Sequence, residues 1–78
     1  MKWQDRITVD PQVCHGQACI KGSRVLVSVV LDSLAERETP ETIAAAYRIT
    51  VADVQAALEY AADLAKDRVI AFRGTSAA

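Results

Sequence analysis

The 78-residue sequence predicts an α+β domain, in which a short β-hairpin or meander precedes a three-helix core that ends in a helix-turn-helix. Three observations carry this. Alternating apolar residues and isolated glycines mark the first third as short extended segments joined by turns. Two helix-start signatures come next, Thr39-Pro40-Glu41 and Thr50 with Asp53, their caps eleven residues apart. After the second signature, an apolar-periodic run continues past Asp67 without a glycine or proline.

Each element has its own reason. Residues 6–10 alternate polar and apolar, with Ile7 and Val9 on one side, and Asp10-Pro11 closes the strand because proline brings no N–H for a ladder. Gly16 and Gly22 punctuate residues 12–23. A second extended segment spans residues 18–21 and a third residues 24–27, joined by the turn Lys21-Gly22-Ser23-Arg24. Ser28 suits the N-cap of a first helix running to about Arg37, with Val30, Leu31, Leu34 and Ala35 on its inner face. Thr39 caps the second helix, Pro40 gives up an N–H that has no partner there, and Glu41 complements the positive end of the helix dipole. Ile43, Ala44 and Tyr47 form its inner face. Thr50 and Asp53 make the capping box of the third helix, whose expected apolar stripe is Val54, Leu58, Ala61 and Ala65. Ala52, Gln55, Ala56, Glu59 and Asp63 are expected outside.

The length gives one domain over residues 1–73, with the β element at about 5–27, the helical core at about 28–67 and an apolar tail at 68–73. Residues 74–78 are expected to be a disordered tail. A chain of this size buries about 60% of its unfolded surface, so a homodimer would add needed core. An apolar fraction of 51% excludes intrinsic disorder as the default. A net charge of −1 predicts no general attraction to nucleic acid or anionic lipid, and leaves a local basic patch as the route to either. No apolar run reaches the roughly 18 residues of a membrane span, and the opening residues hold no secretion-signal core. The expected location is cytoplasmic, where thiols stay reduced.

Two helices joined by about two residues must cross steeply, and Ile43, Tyr47, Ala44, Ile49 and Val54 supply the apolar and small residues that lock such a pair. The corner residue, which needs a positive φ, is Arg48 in place of the usual glycine. As a DNA reader the last helix offers only Thr50 and Gln55 near its start, while Asp53, Glu59 and Asp63 have the wrong sign for phosphate. The basic residues that could bind DNA are Arg6, Lys21, Arg24 and Arg48; the competing reading is ordinary solvated charge. A helix-turn-helix used only for packing or protein binding stands beside the DNA-binding one.

Cys14, His15 and Cys19 are too few for a typical four-ligand zinc site, and no other Cys or His exists to complete one. Neighbouring Cys14 and His15 point to opposite sides of an extended segment, which disfavours a nucleophile–base pair. No phosphate-cradling glycine loop is present. The sequence therefore predicts no enzyme, no cofactor and no metal. Trp3 reads as a cap on the core or a dimer contact.

Several blocks together carry a family resemblance: Arg6, Ile7, Asp10 and Pro11; Gly16; Ile20-Lys21-Gly22-Ser23-Arg24-Val25; Thr39-Pro40-Glu41 with Ile43; and Val54, Ala56, Ala57, Leu58, Tyr60 and Ala61. Over residues 5–64 the chain resembles the domain-of-unknown-function family 433. The resemblance implies a bacterial or archaeal domain with a homeodomain-like helical core. It also implies an antitoxin role, in which the protein covers the active-site cleft of a PIN-like nuclease toxin encoded by a neighbouring gene and, as a dimer, binds its own promoter. The apolar tail residues Val69, Ile70 and Phe72 suit such partner binding, or docking onto the chain's own core. The chain departs from the family pattern at Glu38, where glycine is usual, and at Cys14, His15 and Cys19, where small, apolar or proline residues are usual.

Overall fold

A computed structural model describes residues 2–67. Strand β1 (Ile7–Thr8) pairs antiparallel with β2 (Cys19–Ile20), in the register Ile7 to Ile20 and Thr8 to Cys19. Three helices complete the fold: α1 (Val27–Ala35), α2 (Pro40–Tyr47) and α3 (Val51–Asp67). The α+β architecture is the expected one. Two short 3₁₀ turns, Trp3–Asp5 and Cys14–Gly16, are not legible as elements in the sequence.

The third expected strand is reduced to a single bridge between Cys19 and Leu26. Residues 24–26 do run beside β2, with the Ile20 N–H donating to the Val25 carbonyl at 2.8 Å. The chain then turns at once into α1, which starts before Ser28. Leu26 occupies the cap position and no side chain caps the helix. Backbone acceptors replace the expected serine: the Val27 N–H donates to Ala18, and those of Val29 and Val30 to Leu26. Ser28 lies exposed in the first turn. The helix closes earlier than Arg37, which itself takes the left-handed conformation (φ 70°) while the Glu38 N–H returns to the Ser33 carbonyl at 3.1 Å.

The other two starts form as their signatures require. The Thr39 hydroxyl accepts the Thr42 N–H at 3.1 Å, with Pro40 in the first turn. Thr50 and Asp53 satisfy one another reciprocally, each backbone N–H donating to the other's side-chain oxygen at 3.0 Å. Between α2 and α3, Arg48 adopts φ 58°, ψ 41°, and the Ile49 N–H reaches back to the Ala44 carbonyl at 3.0 Å. The corner is thus built on an arginine in a conformation that glycine adopts more cheaply.

The core joins Ile7 and Ile20 of the hairpin to Val27, Val30, Ile43, Val54, Ala56 and Ala57. The expected inner faces of α2 and α3 fail in part here. Ala56 is fully buried, whereas Leu58 is 40% exposed and Ala65 also faces outward. The buried face of α3 is rotated by roughly a quarter turn from the expected stripe, counting about 100° per residue. Tyr47 is likewise 37% exposed rather than internal. The cause is non-local. The N-terminal turn lies along α3, where Trp3 meets Tyr60 edge-on with ring centroids 4.9 Å apart and its Nε1–H donates to Asp63 at 2.5 Å. That segment covers the side of α3 carrying Ala56 and Tyr60, so α3 is clasped from two directions. Trp3 is a cap on the core.

Candidate nucleic-acid and partner surfaces

The predicted site residues fall into three places. Lys21 and Arg24 share the turn between β2 and α1. Its shape is set by Ser23, whose hydroxyl donates to the Ile20 carbonyl at 3.1 Å and accepts the Val25 N–H at 3.2 Å. Gly22 (φ 80°) and Arg24 (φ 59°) are both left-handed, and the Lys21 N–H donates to the Arg6 carbonyl at 2.8 Å, tying the turn to β1. Lys21, Gly22 and Arg24, with Thr8 and Val13, border a shallow cavity of about 480 Å³ floored by Cys19 and Ile20. No carboxylate lines it, and among the described residues neither Lys21 nor Arg24 forms an ion pair. Both side chains are exposed. This is a positive rim with no carboxylate in its lining.

Arg48, Thr50 and Gln55 are exposed at the α2–α3 corner and the first half of α3. Thr50 is committed to capping, and the Gln55 amide donates to Glu59 at 3.3 Å. Arg6 is in neither set: its guanidinium donates to Asp53 at 3.0 Å. Burial pushes the Asp53 carboxyl up, but the Thr50 N–H, the Arg6 guanidinium and the Thr50 hydroxyl outweigh it and hold the group below the usual aspartate range. Arg6 thus joins the N-terminal segment to α3 and has its charge answered there. Val69, Ile70 and Phe72, together with the tail at 68–78, lie outside the described residues.

A surface that sequence reasoning missed lies on α3. Val51 is 44% exposed and Leu58 40%, and Gln55, Ala62 and Ala65 are exposed with them. These five positions recur at spacings of four, three, four and three residues, the rhythm of a seam that packs against another helix. That spacing is itself a readable signal, hidden only when Leu58 is assigned to the core. On the opposite side of α3, Val27, Leu31, Tyr60 and Leu64 border an apolar groove of about 220 Å³.

Among the described residues, no three His, Cys, Asp or Glu side chains converge on a common point, and no helix is long and apolar enough to cross a membrane.

Comparison with known proteins adds a family and one solved neighbour. A family model described as a protein of unknown function, DUF433, matches residues 7–61. The crystal structure of Rv2018 from Mycobacterium tuberculosis is similar, with a TM-score of 0.65 and 31% identity over 73% of this chain. The match covers 27% of the Rv2018 chain, so the domain corresponds to about a quarter of that protein. No curated protein matches the chain.

Proposed function

The chain belongs to the DUF433 family, and we propose that it is an antitoxin-type regulator that binds a partner protein and, as a dimer, promoter DNA. The partner is a toxin of the PIN-like nuclease class, neutralised sterically, and the setting is the cytoplasm. No residue is asked to do chemistry. One observation carries the nucleic-acid half: Lys21 and Arg24 stand on a turn braced by Ser23, at the rim of a cavity whose lining contains no carboxylate. Phosphate contact needs fixed cations without a competing anion, and this turn supplies them. The outward face of α3 does not, because Val51 and Leu58 are apolar and Gln55 is held by Glu59. The helix-turn-helix is accordingly the scaffold, and the β2–α1 turn is the DNA-facing element.

The test is a titration of the chain against its upstream duplex DNA by fluorescence anisotropy at two salt concentrations. Affinity should fall steeply with salt. Lys21→Ala with Arg24→Ala should weaken binding about ten-fold and lower the salt slope by about 2, since each lost phosphate contact removes about one unit. Arg6→Ala should change binding far less. No binding at low salt removes the DNA half. The reading left would be a protein-interaction module, which the apolar seam on α3 favours independently.

A further inference from the structure

Residues 14–19 contain a feature that the proposed function does not use. Cys14, His15 and Gly16 are three consecutive left-handed residues, with φ of 51°, 56° and 81°. The Cys14 thiol donates to the Arg24 carbonyl at 3.5 Å. Cys19 sits at the centre of the hairpin, opposite Thr8 on one side and Leu26 on the other, and is 1% exposed. The Cys14 thiol is its neighbour, near enough to act on its ionisation. Burial, and after it that contact with Cys14, push the Cys19 thiol above the usual cysteine range. Cys14 is half-buried, and both thiols are free. The pair is therefore asymmetric: one sulfur within reach of solvent, the other shielded from it.

We propose that Cys14 and Cys19 form a reversible disulfide site, in which Cys14 is the attacking thiol, Cys19 the resolving thiol, and a small disulfide such as oxidised glutathione the oxidant. The steps balance by thiol–disulfide exchange. Cys14, deprotonated to solvent, attacks one sulfur of the small disulfide. The S–S bond breaks, a mixed disulfide forms on Cys14, and one small thiolate leaves and takes up a proton. Cys19 then gives up its proton and attacks the Cys14 sulfur, which expels the second small thiol and closes the Cys14–Cys19 bond. Two protein thiols are oxidised and one small disulfide is reduced to two thiols. A reduced dithiol reverses both steps.

The bond would act on the basic turn. Once oxidised, Cys14 has no S–H to donate, so the hydrogen bond to the Arg24 carbonyl is lost at a left-handed residue that borders the Lys21–Arg24 cavity. Cys19, on the floor of that cavity, becomes covalently tied to the 14–16 turn. Oxidation therefore changes the setting of the cations assigned to DNA. That consequence rests on the proposed function, whereas the disulfide itself does not.

The experiment incubates the full chain in glutathione buffers of graded oxidation, quenches with an alkylating reagent and weighs the products. Expected is a species two hydrogens lighter that takes up no alkyl group and no glutathione, formed at a rate independent of protein concentration. Cys19→Ala should stop at a glutathione adduct on Cys14, and Cys14→Ser should form neither product. A lasting glutathione adduct on the unaltered chain, a disulfide between two copies, or two alkylated thiols at the most oxidising poise would each overturn the site. Circular dichroism checks the fold of each variant; if Cys19→Ala unfolds, Cys14→Ser still decides, because a glutathione adduct on its remaining Cys19 refutes Cys14 as the attacking thiol. Amide resonances of residues 21–25 should shift on oxidation, and unchanged resonances overturn the coupling to the basic turn. DNA affinity of the two forms is measured last: absence of binding in both sinks the nucleic-acid reading and leaves the disulfide standing.

Discussion

At Asp53 one carboxylate serves two structural tasks, and the two can be separated by magnitude. Its Oδ2 accepts the Thr50 N–H and its Oδ1 accepts from Arg6. The Arg6 side chain is 40% exposed, so solvent screens the ion pair and the cap supplies most of the energy. Asp53→Ala should cost about 1–2 kcal/mol, of which Arg6→Ala reproduces only about 0.5. Urea midpoints of the two variants measure the split, and equal losses would show that the ion pair dominates. The pH dependence has a definite sign. The folded carboxyl titrates below its reference value of 3.8. Its contribution is therefore complete above that value and is lost as the pH falls through the lower folded pKa. Asp53→Asn should start less stable at neutral pH and flatten the acid limb of the stability curve.

At the scale of elements, the helix starts of α2 and α3 are legible in the sequence because a cap is a local contract between residues three apart. Thr39 with Thr42, and Thr50 with Asp53, need nothing from the rest of the chain. The start of α1 is not, because its first N–H groups are served by Ala18 and Leu26, carbonyls that carry no side-chain signature. The basic turn is legible for the same local reason as the caps, since glycine and serine between Lys21 and Arg24 dictate its geometry. The face of α3 escapes a local reading because burial there depends on Trp3, which lies some sixty residues away in sequence. Arg48 stands out as the strained corner from spacing alone, and its φ of 58° makes it a site for stabilisation. Arg48→Gly removes a left-handed cost of about 1–2 kcal/mol and adds about 0.5–1 of unfolded-chain entropy. The net gain should be about 0.5–1 kcal/mol, or a few degrees in Tm. Arg48→Ala, which keeps a Cβ, should show no such gain. If the glycine variant also leaves DNA affinity unchanged, Arg48 is a corner residue and not a phosphate contact.

For the whole molecule, the N-terminal segment is fastened to α3 at Asp53 by Arg6 and at Asp63 by Trp3, points ten residues and about 15 Å apart along the helix. This clasp commits one side of α3 to the interior and turns Val51, Leu58, Ala62 and Ala65 outward. The proposed dimer has its natural seat there. The seam repeats every three and four residues, Tyr47 is exposed at the end of α2, and a domain of this size gains from burying apolar area that its own core leaves uncovered. Leu58→Glu separates this role from folding. Leu58 is 40% exposed, so the substitution should alter monomer stability by no more than about 0.5 kcal/mol. In a dimer seam, a carboxylate on each copy would be buried without a partner, and association should weaken at least a hundred-fold. Sedimentation equilibrium over a wide concentration range reads this directly. A monomer in both proteins, or a dimer unaffected by the substitution, places the subunit contact elsewhere and leaves the α3 seam to the partner protein. Pull-down of the neighbouring gene's product by the unaltered chain, and its loss with Leu58→Glu, would then identify the seam as the surface that covers the toxin.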